Sequence, residues 1–267
     1  MLRKKVVFCT YPSLYSSLVL TRLIASGKVD IVAVVASSRN LRATENKLRS
    51  DFSRIKTSGW RYACYLWLVT EAFSLFSRRL KYASIGDLCA THHIPVINTH
   101  NINTKPIRLD LANLSPDILL CAHFNQRVSP EIYDIAKDCS VNIHPSLLPD
   151  LKGVDPSFYA LLDNYESTGV TLHQLAEDFD TGKTLYQSSI RVKHDDSLFL
   201  LNKTLFNAGV ELFLQMVKAA KPINHAQTAA PLHASRYDSW PSKVQVSAFK
   251  KLKKSFITWK DIQDLRK

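Results

Sequence analysis

An alternation that begins almost at the first residue limits the fold more than anything else in the chain. Residues 4–10 (KKVVFCT) are apolar and β-branched, residues 17–27 (SLVLTRLIASG) have helical spacing closed by Gly27, and residues 29–37 (VDIVAVVAS) form a second apolar run. Strand, helix and strand in so short a span predict a βαβ unit, with parallel strands and a right-handed crossover. The pattern resumes after residue 82. Strands are expected at 94–100, 117–124, 140–146, 169–176 and 184–192, and helices at 83–93, 109–114, 129–138, 155–164 and 197–220. The expected fold is α/β: a doubly wound, mostly parallel sheet in a Rossmann-like domain over residues 1–220. A helical insertion at about 39–82 interrupts it, and a basic C-terminal extension, 221–267, follows, with RYDSWP (236–241) as its aromatic anchor.

Several function classes are disfavoured. The turn after the first strand, TYPSLYSS, contains no glycine, so the GxGxxG dinucleotide fingerprint is absent. Five cysteines, odd in number and without CxxC spacing, read as core residues of a reducing compartment. The start MLRKKVVFCT lacks the apolar run of a cleaved signal, and the longest apolar stretch, 63–76, is too short to span a bilayer. A cytoplasmic protein without a transmembrane segment is expected.

The net charge of +12 is concentrated. Residues 39–82 carry ten Lys and Arg against three acids, and residues 242–267 carry eight against two. Either a local basic surface for nucleic acid, anionic sugar or anionic lipid, or two solvated helical faces, would account for this. Within the insertion, Trp60, Ala63, Cys64, Trp67, Leu68, Ala72, Leu75 and Phe76 recur at 3- and 4-residue steps. Core packing or a partner helix is the expected use of that stripe, with interfacial membrane contact the lesser alternative.

One strand end carries unusual chemistry. In VNIHPSLLP (141–149), Asn142 and His144 are two residues apart and share one face of a strand. Asp180 follows a later strand in the turn EDFDTG, and Thr171 and His173 lie in the strand leading to it. Open α/β sheets bind ligands beyond the carboxyl ends of their strands. An amide, an imidazole and a carboxylate at one mouth suit acyl transfer: the amide donates to a developing oxyanion, the imidazole moves a proton, and the carboxylate orients or relays. No Ser or Cys sits in a nucleophile elbow, which favours direct transfer to an amine. No helix-borne HxxxH supports a metal, and none is expected. His92, His93, His100 and His123 read as structural.

The run NIHPSLLP, then Gly153, then GVTLH (169–173) and DFDTG (178–182), resembles the folate-dependent formyltransferases in order and spacing over roughly residues 115–195. That family includes glycinamide ribonucleotide, methionyl-tRNA and sugar N-formyltransferases and formyltetrahydrofolate deformylase. The resemblance implies Asn142, His144 and Asp180 as catalytic residues and 10-formyltetrahydrofolate as co-substrate. It places the pterin near Phe124, Asn125, Gln126, Val128, Ala176 and Asp178, and the acceptor near Gly153, Thr171 and His173. The loop SLLPDLKGVDPSFYAL departs from the SLLP-x-x-R-G-A-A-P-I type of the tRNA enzymes, and the tail is shorter than their C-terminal barrel. A small amine acceptor, an amino sugar or another anionic amine, is therefore expected. A methionyl-tRNA enzyme lacking the usual barrel and an inactive binding module are the alternatives, and RNA contact by the basic tail is not favoured.

Overall fold

The computed structural model describes residues 2–39, 47–219 and 235–266. Seven strands form the main sheet: β1 (Lys4–Thr10), β2 (Val29–Ser37), β3 (Val96–Thr99), β4 (Ile118–Ala122), β5 (Cys139–His144), β7 (Ser167–Gln174) and β8 (Thr184–Arg191). Their order is β3-β2-β1-β4-β5-β7-β8, and β6 (Leu151–Gly153) pairs in parallel with β9 (Arg236–Asp238) in a separate ribbon. The first five sheet strands run parallel, as the alternation predicts.

The β1 side chains show why the fold is doubly wound. Val6 and Phe8 enter a core shared with Leu18 and Leu23 of α1 (Leu14–Ser26) and Phe206, Val210 and Phe213 of α8 (Leu198–Ala219). Val7 and Cys9 enter a second core with Ile102, with Leu111 of α5 (Lys105–Leu114) and with Ile132 of α6 (Pro130–Tyr133). A strand buried on both faces has no polar alternation, which is the β1 pattern.

Two expectations change. The helix expected over 129–138 stops at Tyr133, because Lys137 and Asp138 give their N–H groups to the Pro116 and Asp117 carbonyls ahead of β4. The strand β7 runs antiparallel to β5. A seven-residue helix, α7 (Pro156–Leu162), stands between them. It rises only about 10 Å, too little to carry the chain back along a six-residue strand of about 20 Å. The chain therefore re-enters the sheet from the mouth end.

The insertion is helical but presents its faces the other way round. α2 (Lys47–Trp67), broken at Gly59 (φ 80°), runs through a π-turn (Leu68–Ala72) into α3 (Phe73–Phe76) and reaches α4 (Ile85–Thr91). Tyr62, Tyr65, Val69 and Phe73 are buried, whereas Trp60, Cys64, Trp67, Leu68, Leu75 and Phe76 of the expected stripe are exposed; only Ala72 of it is buried. The tyrosine face goes inward because its hydroxyls find buried partners: Tyr62 donates to Asp155 at 2.7 Å, and Tyr65 meets the Tyr15 hydroxyl at 2.6 Å. The tail closes the same layer. α9 (Lys243–Lys251) and α10 (Trp259–Asp264) each start with a capping box, and Phe249 and Phe256 stack on Phe158. Both basic segments thus contribute aromatic rings to the core, while Lys56, Arg61, Arg79, Lys81, Lys243, Lys250, Lys251, Lys253, Lys260 and Arg266 stay exposed.

Candidate active site

Asn142 and His173 are cross-strand partners in the β5–β7 register, and His144 pairs with Thr171 two steps on. All four side chains therefore share one face of the sheet. Asp180 reaches that face by a different route from the one expected. Because β7 is antiparallel, its carboxyl end points away from the mouth. The nine residues between β7 and β8 turn back, with Gln174 N–H donating to the Lys183 carbonyl, and Asp180 takes a left-handed backbone (φ 55°). One carboxylate oxygen then accepts from Gly153 N–H at 2.9 Å, and the other lies 3.3 Å from His144 Nδ1 and 3.8 Å from His173 Nε2.

The hydrogen bonds fix the protons on both rings. A carbonyl can only accept, so His173 Nδ1–H donates to the Gln174 carbonyl at 2.8 Å, leaving Nε2 to accept from the Asn142 amide at 3.0 Å. Burial, with the neighbouring His144 adding to it, brings the His173 imidazole down to about 4, so it stays neutral at ordinary pH. His173 thereby holds the Asn142 carboxamide by its nitrogen and leaves the second amide hydrogen able to donate to another group. By the same rule His144 Nε2–H donates to the Leu151 carbonyl at 2.9 Å. Nδ1 therefore faces Asp180, and that contact closes as a hydrogen bond only with a proton between the two groups.

A cavity of about 340 Å³ opens over this trio. Phe124, Asn125, Gln126, Val128, Ala176, Asp178, Gly153 and His173 all line it. Asn125 and Gln126 spend their amides on bracing. Asn125 accepts from Ser37 at 2.6 Å and donates to the Arg39 carbonyl, while Gln126 bonds Ser37, Thr99 and Ile102. Their side chains rigidify the loop and leave its backbone and the apolar Phe124 and Val128 to meet a ligand. Thr171 is placed elsewhere than expected. Its hydroxyl is buried, donates to the Ser146 carbonyl and accepts from Leu148 N–H and the Gln187 amide, so it clamps the loop after β5 instead of lining the cavity. Thr171→Val should cost about 2 kcal/mol in urea unfolding, because buried loop groups lose their partner.

Gly153 is required by close approach. With φ 94°, a Cβ there would lie 2.2 Å from the Asp238 carbonyl oxygen. Its freedom lets β6 pair with β9 while its N–H serves Asp180. His92 caps α4, and His92, His93 and His100 are exposed and lie outside the cavity lining.

Sequence reasoning missed two groups. Arg127 ties the two cavity loops together, donating from Nε to the Glu177 carbonyl at 2.5 Å and lying 3.5 Å from both the Glu177 and Asp178 carboxylates. The second group is the far wall, built from Tyr62, Tyr65, Asp155, Asn202, Tyr237 and Trp240. Asp155 also has a left-handed backbone (φ 49°), and burial pushes its carboxyl up to about 6, against the opposing effect of the Tyr62 hydrogen bond. The warnings in the sequence were an acidic residue in the apolar loop GVDPSF and the aromatic anchor RYDSWP, which supplies Tyr237 and Trp240. Arg127→Ala should raise the KM for the ligand held between the loops about tenfold, with kcat nearly unchanged, since it sets loop spacing and touches no reacting atom. Steady-state kinetics with that ligand varied would check it.

The profile described as "Formyl transferase" matches residues 3–217. A methionyl-tRNA formyltransferase of Ureaplasma urealyticum serovar 10 is 33% identical over 158 residues, covering 57% of this chain and 51% of that protein. The bifunctional polymyxin resistance protein ArnA of Wigglesworthia glossinidia brevipalpis is 32% identical over 152 residues, 52% of this chain and 23% of that protein. The chain spans about half the length, or less, of these curated relatives. Among solved structures, phosphoribosylglycinamide formyltransferase from Bacillus halodurans superposes with TM-score 0.56 at 18% identity, covering 83% of this chain and 100% of the other. A sugar N-formyltransferase from Shewanella sp FDAARGOS_354 superposes with TM-score 0.54 at 15% identity, covering 98% and 86%. The N-formyltransferase of Helicobacter canadensis, solved with folinic acid and dTDP-3-aminofucose, gives 0.52 at 18%, covering 89% and 71%. The doubly wound sheet and the trio over the carboxyl end of β5 both fall inside the matched residues, and the chain belongs to the formyl transferase family.

Proposed function

We propose that the chain transfers a formyl group from 10-formyltetrahydrofolate to the primary amine of a small acceptor, an amino sugar. The observation that carries this reading is one continuous cavity. It runs from the loops at Phe124–Val128 and Ala176–Asp178, past Asn142, His144 and Asp180, to the wall of Tyr62, Asp155, Tyr237 and Trp240. The loop end is a slot with apolar walls (Phe124, Val128, Leu175) and a carboxylate at its rim (Asp178), which fits a flat heterocycle bearing amino groups. The far wall has aromatic faces and one half-buried carboxylate, the surface on which a sugar ring stacks while its hydroxyls donate to Asp155.

Among the described residues lining the cavity, Arg127 is the one Lys or Arg, and it is tied to Glu177 and Asp178. The sugar at this end is taken to be neutral, and the insertion serves it through Tyr62 and Tyr65, its described cations lying outside the cavity lining.

The folate supplies an activated formyl group. Around it the chain does three things. The Asn142 amide, fixed by neutral His173, donates to the oxyanion as the amine adds to the carbonyl carbon. The His144–Asp180 pair takes the proton the amine gives up and returns it to the departing nitrogen, so no net proton is gained or lost. The loop clamped by Thr171 holds the Leu151 carbonyl on His144 Nε2, which keeps Nδ1 aimed at Asp180.

The test is incubation with 10-formyltetrahydrofolate and, separately, amino-sugar nucleotides, free amino sugars, amino acids and methionyl-tRNA. Mass spectrometry should find the gain of one formyl group on an amino sugar. Formylation of methionyl-tRNA alone would overturn the acceptor class. No transfer to any acceptor, with no thermal shift from a folate analogue, would overturn the activity.

A further inference from the structure

The insertion and the tail together present an apolar face that nothing among the described residues covers. One side of the helix running from Trp60 to Phe76 is already in the core, through Tyr62, Tyr65, Val69 and Phe73. The opposite side carries Trp60 (65% exposed), Trp67, Leu68 and Leu75 (75% exposed). A helix apolar on both sides buries both when its surroundings allow it; here the outer side meets solvent.

The tail extends that side. α9 packs against α2, with Lys243 Cγ 3.7 Å from where a Cβ on Gly59 would lie, and it exposes Val244 (78%). Leu80 bridges to Arg266, and Lys81 N–H donates to the Leu265 carbonyl at 2.7 Å, which anchors α10, the helix that opens on exposed Trp259, to the end of the insertion.

The charges around these side chains are almost all of one sign. Lys56, Arg61, Arg79, Lys243, Lys250 and Lys251 are exposed. Over residues 55–82 and 242–266, Asp264 is the one exposed acid among the described residues. Arg61 lies over Trp60 with its guanidinium 5.4 Å from the ring, and Arg266 lies over Trp259 at 5.6 Å. Indoles stacked under cations, aliphatic side chains between them and a rim of lysines are the composition of a surface that sits in a lipid headgroup layer.

We infer that this face docks the enzyme peripherally on an anionic membrane, with Trp60, Trp67, Leu75 and Val244 at the headgroup boundary and the lysines on lipid phosphates. Two other occupants fit less well. Single-stranded RNA would use the cations and indoles, but Leu68, Leu75 and Val244 have no base to stack on and gain only by leaving water. A second copy would set one positive surface against another. Among the described residues no helix is long and apolar enough to cross a membrane, so the association is peripheral.

The test is co-sedimentation of the full chain with vesicles of phosphatidylcholine alone or of phosphatidylcholine and phosphatidylglycerol in equal parts. The chain should pellet with the second and not the first. Trp60→Ser with Leu75→Ser should lower the partition at least about tenfold at unchanged melting temperature, since both side chains are already in water. Lys250→Glu with Lys251→Glu should weaken it independently, which covers a folding defect in the first variant. Failure to pellet with the anionic vesicles overturns the inference, as does undiminished binding of both variants. A gel shift with single-stranded RNA that these substitutions abolish, without vesicle binding, would assign the face to nucleic acid. A concentration-dependent dimer that they abolish would assign it to a second copy.

Discussion

Asn142→Ala is expected to lower kcat for formyl transfer by about 10²–10³, the cost of removing one preorganised oxyanion donor. The folate KM should hardly move, because the loops that would grip the folate are braced through Ser37, Thr99 and Arg127 and not through Asn142. The loss follows from how the amide is held. Asn142 Nδ2 sits 3.0 Å from a His173 nitrogen that can only accept, since the other ring nitrogen donates to the Gln174 carbonyl. The carboxamide therefore cannot flip without losing its bond, which under the proposed mechanism keeps its nitrogen on the oxyanion. His173→Ala should reproduce part of the defect, because the amide would remain but lose its orientation. Single-turnover kinetics separates the two: Asn142→Ala should slow the chemical step most. If Asn142→Ala retained the parent kcat, the oxyanion role would be lost, and His144 would have to supply the donor from Nδ1.

What could be read beforehand follows a physical division. Strands β1 and β4 were legible because a parallel strand buried on both faces writes itself as an unbroken apolar run, as in VVFC and ILLCA. Asn142 and His144 were legible because a period of two puts them on one face whatever the register. The arrival of Asp180 could not be read from strand alternation, since it depends on an antiparallel β7 and a loop that doubles back. The insertion misled for a related reason. Its sequence is apolar on both sides, and the choice between them was made by hydroxyl partners at Tyr15 and Asp155, distant along the chain. Hydropathy favoured the tryptophans, and burial went to the side that could satisfy its polar atoms.

Asp155→Asn is expected to make the protein more stable at pH 8, by up to about 3 kcal/mol, and the gain should vanish toward pH 4. The carboxyl is raised from 3.8 to about 6 in the folded chain, burial being the larger cause. A raised carboxyl binds its proton more tightly folded than unfolded. Below about pH 4 both states are protonated and the group costs nothing. Between pH 4 and 6 the unfolded state ionises first, so stability falls as pH rises, and above 6 the full penalty is in place. At 1.36 kcal/mol per unit, a shift of about two units gives the figure stated. Over a chain of this length it corresponds to roughly 5 °C in Tm. Asparagine removes the charge but keeps an oxygen to accept from Tyr62, so the fold loses no partner at 2.7 Å. Thermal melts of both proteins across pH 4–8 should therefore converge at the acid end and separate at the alkaline end. Equal Tm at pH 8 would mean that the carboxylate is solvated in the folded state. A desolvated carboxylate aimed into a cavity, at a cost of this size, marks a group kept for binding. The same substitution should accordingly raise the acceptor KM by at least about tenfold while leaving the folate KM in place, since a charged acceptor for sugar hydroxyls is exchanged for a weaker one. A more stable protein with unchanged acceptor KM would remove Asp155 from the acceptor site and leave the aromatic wall alone to select it.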